Sequence, residues 1–82
     1  MYLKGYEIIK KIGTIRHHDD LESIEANVLL TNDGKELIDI RRWTYGVPGE
    51  GITMTKDLAE DLSLLLQHLF KIELADRNDS KD

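Results

Sequence analysis

Residues 23–43 of this chain, SIEANVLLTNDGKELIDIRRW, alternate apolar and polar side chains on both sides of an Asn-Asp-Gly turn signal. Alternation at a period of two commits a segment to strand, because successive strand side chains point to opposite faces. Two such segments around a short turn pair antiparallel, and the match of their apolar rows selects the register. A two-residue Asp33-Gly34 turn would set Ile38 and Ile40 beside Leu29 and Asn27. A three-residue loop, Asn32-Asp33-Gly34 with Gly34 left-handed, pairs Val28 with Ile38 and Ala26 with Ile40, and the apolar rows then coincide. The three-residue loop is therefore expected. It places Glu25 opposite Arg41 and Ser23 opposite Trp43, and it puts Asp39, Arg41 and Trp43 on one face.

The flanking segments extend this hairpin. YEIIKKIGTIR (6–16) reads as a preceding strand, with Gly13 marking a bulge or bend. HHDDLE (17–22) is a polar connector, GVPGEG (46–51) a mobile Gly/Pro-rich loop, and GITM (51–54) a short fourth strand. Thr55 suits a helix N-cap, and Asp57 suits the first turn of the helix. From 57 to 74 the chain repeats Leu58, Leu62, Leu65, Leu69 and Ile72 at helical spacing. Leu64, Leu66 and Phe70 widen that stripe beyond what one sheet face needs, so a second copy is expected on it, with Leu62, Leu65, Leu66, Leu69 and Phe70 at the dimer contact. Residues 75–82 lack an apolar period and are expected to be a disordered acidic tail. The expected fold is α+β: one domain over residues 1–74, a curved antiparallel sheet of four strands with a C-terminal helix on one face, β-β-β-β-α.

Composition narrows the function classes. At 82 residues the chain buries only about three-fifths of its unfolded surface, a further reason to dimerise. Cysteine is absent, which removes disulfides and thiolate metal sites. With no signal-like or membrane-spanning run, a soluble, cytoplasmic protein is expected. The net charge is −5, and residues 57–82 account for −4 of it, with seven Asp/Glu against three Lys/Arg. An acidic total argues mildly against a polyanion partner, but a local basic face can coexist with an acidic helix. His17-His18-Asp19-Asp20 groups metal-ligand types, yet adjacent ligands rarely converge without a folded loop, so no metal is expected. No nucleophile–base pairing and no phosphate-binding loop stands at useful spacing. Neither an enzyme nor a cofactor is expected.

A guanidinium and an indole on one strand face suit single-stranded nucleic acid, DNA or RNA alike, since nothing in the chain reads a 2′-hydroxyl. Arginine neutralises and forks onto phosphate, and an indole stacks on any base, at about 1–3 kcal/mol per base. The competing reading is an ordinary Arg41–Glu25 cross-strand pair and a structural Trp43, in a protein-interaction dimer.

Asp39-Ile40-Arg41-Arg42-Trp43, preceded by Gly34-Lys35 and followed by Gly51-Ile52-Thr53-Met54 and a helix, resembles the positive-cofactor-four family of transcriptional coactivators. YEIIKKI (6–12) is similar to the first strand of its small bacterial members. The resemblance implies a homodimer whose sheets bind single-stranded DNA with little sequence preference, in transcription or DNA maintenance. Lys35, Arg41 and Trp43 are the implied contacts, with Tyr45 and Lys11 as further candidates. The chain departs from the family at Thr31, Asn32 and Asp33, where an aromatic is usual, at Glu50, where lysine is, and at Thr44, where the coactivator has its tryptophan. These departures imply weaker or altered DNA binding.

Overall fold

The structure, a computed structural model, describes the backbone of residues 2–17 and 19–79, and side chains as far as residue 72. Five strands, β1 (Tyr2–Leu3), β2 (Tyr6–His17), β3 (Glu22–Leu30), β4 (Glu36–Thr44) and β5 (Val47–Thr55), precede one helix, α1 (Lys56–Asp79). They form an antiparallel meander in the order β1-β2-β3-β4-β5 that curls toward a barrel. No helix among the described residues is long and apolar enough to cross a membrane.

The central hairpin has the expected register: Val28 pairs with Ile38, Ala26 with Ile40, Glu25 with Arg41 and Ser23 with Trp43. Gly34 is left-handed, at φ 86°, and Thr31 and Lys35 close the three-residue loop. The strand count is five rather than the expected four because two tight turns each build a hairpin that no apolar alternation marks. Lys4-Gly5 and Tyr45-Gly46 each take positive φ at both positions, the geometry of a two-residue turn whose twist matches its strands. Lys4-Gly5 folds β1 back onto β2. Tyr45-Gly46 turns β4 directly into β5, so VPGEG is strand rather than loop; Pro48 is tolerated because β5 is an edge.

In β2 the single bulge expected at Gly13 becomes three. Register shifts fall between Ile8 and Lys10, Lys11 and Gly13, and Thr14 and Arg16, so Ile9, Ile12 and Ile15 are the extra residues. Bulges raise local twist and bend the strand, and three at regular spacing curl the sheet. Ile8, Lys11, Thr14 and His17 thereby face the same side as Leu29, Asn27, Glu25 and Ser23.

That side is the inside of the curl. Leu3 and Leu29 are buried at one end, Asn27, Asp39 and Arg41 in the middle, and Trp43 toward the other end. The opposite, convex side carries Ala26, Val28 and Met54, which are buried, with Ile24, Ile38 and Ile40 half-buried.

The helix does not cover a sheet face as expected. Thr55 ends β5 and its hydroxyl accepts the Leu58 N–H at 3.2 Å, so the helix starts with no connector that could reverse the chain over the sheet. Its main sheet contacts are with β4 and β5. The leucine stripe and its flank, including Leu62, Leu65, Leu66, Leu69 and Phe70, remain 37–65% exposed. The helix continues through 75–79, where a disordered tail was expected, because no Gly or Pro interrupts residues that tolerate helix. The rest of that tail, 80–82, lies outside the described residues.

Candidate functional site

Arg41 and Trp43 share a face, as strand parity requires, but neither stands open to solvent: Arg41 is 4% exposed and Trp43 7%. The guanidinium is consumed inside the fold. Its Nε donates to Asp39 Oδ2 at 2.9 Å, its Nη2 to Asp39 Oδ1 at 2.7 Å, and its Nη1 to the Gly49 carbonyl at 2.8 Å. The partner is therefore Asp39, two residues earlier on β4, and not Glu25 across the ladder. Thr53 adds a hydroxyl bond to Asp39 at 2.7 Å. Burial by itself pushes the Asp39 carboxyl up, but hydrogen bonds from Arg41 and Thr53 and the cation's charge outweigh it and hold the pKa below its usual value. Asp39 in turn raises Arg41 above its ordinary value.

Two local features of β5 make this network possible. Between Gly51, paired with Arg41, and Pro48, paired with Trp43, β5 has one extra residue. The resulting bulge turns the Gly49 carbonyl onto the guanidinium. Gly51 lets the strands approach: a Cβ there would lie 2.1 Å from the Arg41 Cβ and 2.5 Å from the Ile40 carbonyl oxygen.

Beside Trp43 the concave face opens into a recess of about 440 Å³. Lys11, Ser23, Glu25 and Asn27 line it along β2 and β3, and Ile8 and Leu21 supply apolar wall. The wall near His17 is assembled by a folded connection. Asp19 Oδ1 accepts the N–H groups of Leu21 and Glu22 at 2.7 and 2.9 Å, and the Tyr45 N–H donates to the Leu21 carbonyl at 2.8 Å. That last bond ties the connection to the β4–β5 turn and brings Asp20, Leu21 and Glu22 over the Trp43 end. Lys11 reaches Glu25 at 3.4 Å, and the Ser23 hydroxyl donates to Glu25 at 2.6 Å. The Ser23 bond is the largest influence lowering the Glu25 pKa; partial burial opposes it and Lys11 adds to it. Trp43 Nε1 is buried without a hydrogen-bond partner, alone in this among the side-chain nitrogens and oxygens of the described residues.

The sequence-predicted contacts therefore divide. Lys11 and Trp43 meet at the recess. Arg41 adjoins it on the same face but serves the fold. Tyr45 is not on the strand with Trp43; it occupies the turn, left-handed at φ 52° and exposed. Lys35 follows the hairpin at the far end of β4, eight residues from Trp43, roughly 26 Å along an extended strand. His17 lines the recess, whereas His18 of the same cluster lies outside the described residues.

Residues not singled out from the sequence also contribute. Arg16 and Arg42 flank Ile24 in one row of the convex face and border a second recess of about 280 Å³ with Glu22. Neither forms an ion pair among the described residues. The only sequence sign of this pairing was the even-numbered parity of Arg42. For Arg16 there was none, because the three bulges reset its phase.

Fold and site together define an α+β protein with a curled five-stranded sheet, an internally paired arginine and an indole-walled recess on its concave side. No family model matches the chain, and no curated protein or solved structure matches it.

Proposed function

We propose that this chain is a cytoplasmic single-stranded nucleic-acid-binding protein. It acts as a homodimer on DNA with little sequence preference, in transcription or DNA maintenance, as its likeness to the positive-cofactor-four coactivators implies. The observation that carries the reading is the recess beside Trp43, where an indole wall and the Lys11 ammonium meet on a concave sheet face. A base inserts there without a groove-entering helix, which duplex recognition would need. With Arg41 engaged by Asp39, the cations at this end of the sheet are Lys11, at the recess beside Glu25, and Arg16 and Arg42, on the opposite, convex face. Neither metal, cofactor nor catalytic step belongs to this function.

Fluorescence anisotropy with a labelled oligodeoxynucleotide at two salt concentrations tests it. Affinity falls as salt rises, with a logarithmic slope near −0.7 for each phosphate neutralised. Arg16→Ala together with Arg42→Ala lowers that slope by about 1.4 if both guanidinium groups touch phosphate. No binding at low ionic strength sinks the reading.

A second reading is a protein-interaction dimer without a nucleic-acid ligand. It is favoured by the internal use of Arg41 and by the carboxylates Asp20, Glu22 and Glu25 around the recess. The same titration separates the two: a stable dimer that is silent toward every oligonucleotide belongs to the second.

A further inference from the structure

We infer that the recess beside Trp43 takes one nucleobase carrying an exocyclic amino group, that is cytosine, guanine or adenine, in preference to thymine or uracil. The inference rests on the nucleic-acid reading and assigns the chemistry of its contact. At about 440 Å³ the recess falls in the size range of small-ligand sites. Its charge decides which part of a nucleotide enters. Asp20 and Glu25 stand against Lys11, whose ammonium is already beside Glu25 at 3.4 Å. A phosphate in that setting meets surplus negative charge, so the base goes in and the backbone stays outside.

The polar groups then select among bases. Glu25 remains ionised at neutral pH, since Ser23 and Lys11 favour its charged form, and a carboxylate only accepts hydrogen bonds. An amino group satisfies it, as carboxylates do when they read the cytosine amino group. Lys11, adjacent to Glu25, only donates and suits the ring nitrogen or carbonyl that neighbours an amino group on these bases. Thymine and uracil offer a single donor, N3–H, flanked by two carbonyl oxygens, so one oxygen is pressed toward the carboxylate. Trp43 Nε1 supplies a second, independent sign of a missing ligand. A buried donor without a partner costs about 1–3 kcal/mol, and a fold has little reason to retain one unless something else uses it. A base that brings an acceptor within reach of this donor satisfies it, so binding alters the surroundings of the indole.

The experiment compares dC8 and dT8 at one low salt concentration, read by anisotropy for the unaltered protein, Glu25→Gln and Trp43→Phe, and also by Trp43 emission for the first two. The expected result is tighter binding of dC8 by at least about fivefold, the lower end of what one base-edge contact discriminates. That ratio falls toward one in Glu25→Gln, whose amide can also donate to a thymine carbonyl. Trp43→Phe melts at the same or a higher temperature than the unaltered protein but binds dC8 more weakly. Equal affinity for both oligomers, or a ratio untouched by Glu25→Gln, overturns the base preference while leaving strand binding intact. Silence toward both oligomers removes the nucleic-acid reading itself, and this inference with it.

Discussion

Arg41 is the residue at which expectation and structure part most usefully. Strand parity correctly put it beside Trp43, but parity cannot say whether a same-face Asp39 or a cross-strand Glu25 wins the guanidinium. The curl decides that, by burying Asp39 completely and leaving Glu25 near the rim with Lys11. Breaking a buried pair strands the surviving charge, so Arg41→Ala is expected to cost about 3–5 kcal/mol in urea unfolding. That is a large share of the roughly 5–15 kcal/mol typical of a domain. Arg41→Lys is expected to fail nearly as badly, since an ammonium cannot fork onto Asp39 and reach the Gly49 carbonyl together. Loss of DNA binding in either variant would therefore report unfolding and not a lost phosphate contact. The same pair sets an acid limit. The folded-state pKa of Asp39 lies below its unfolded value, so its stabilisation is complete above the unfolded pKa near 4 and disappears as pH falls through the folded value. Thermal melts between pH 6 and pH 2 should show that acid loss, and Asp39→Asn should flatten it. Gly51→Ala tests the close approach beneath the pair. Backbone and Cβ atoms block the added methyl, and the cost is expected at or above the upper end of the roughly 1–3 kcal/mol for overpacking.

Among the elements, those specified by local chemistry were legible and those specified by distant contacts were not. The β3–β4 register followed from two apolar rows and one left-handed glycine. The N-cap followed from Thr55 alone, and Thr55→Ala should destabilise by about 1 kcal/mol in the same urea assay, since it removes the acceptor for the Leu58 N–H. By contrast, β1 is two residues long and rests on a Lys-Gly turn too short to show a pattern. The Gly/Pro content of VPGEG masked an edge strand whose glycines serve the bulge and the close approach to Arg41. The triple bulge of β2 left a trace that is plain only in retrospect: isoleucine at every third position, 9, 12 and 15, where an unbroken strand would repeat every second. The recess was the least legible part. Lys11 and Trp43 stand out in the sequence, but Asp20, Leu21 and Glu22 reach it through a folded connection and a Tyr45–Leu21 backbone bond that no periodicity encodes.

At the scale of the whole molecule, one copy has too much surface. A compact protein of 9.4 kDa exposes about 5,000 Å², whereas this chain exposes 6532 Å². Its radius of gyration is 16.0 Å, against about 12 Å expected for 82 residues. The excess, roughly 1,500 Å², exceeds the about 800 Å² that each partner contributes to a standard interface, and the helix holds much of it as exposed leucine and phenylalanine. A twofold pairing through α1 would remove this excess from water on both copies at once. The prediction is a homodimer in sedimentation equilibrium at micromolar concentration, with a melting temperature that rises with protein concentration. Leu65→Glu separates this from a merely untidy monomer. On an isolated copy Leu65 is 65% exposed, and a charge at so open a site changes stability by about 0.5 kcal/mol or less. At the centre of a helix–helix interface the same carboxylate is desolvated without a partner, so Leu65→Glu should melt far lower, sediment as a monomer and lose the concentration dependence. An unaltered protein that stays monomeric at 100 μM, on the order of a hundredfold above a micromolar dissociation constant, with Leu65→Glu melting alongside it, would mean that α1 projects into solvent for some other partner.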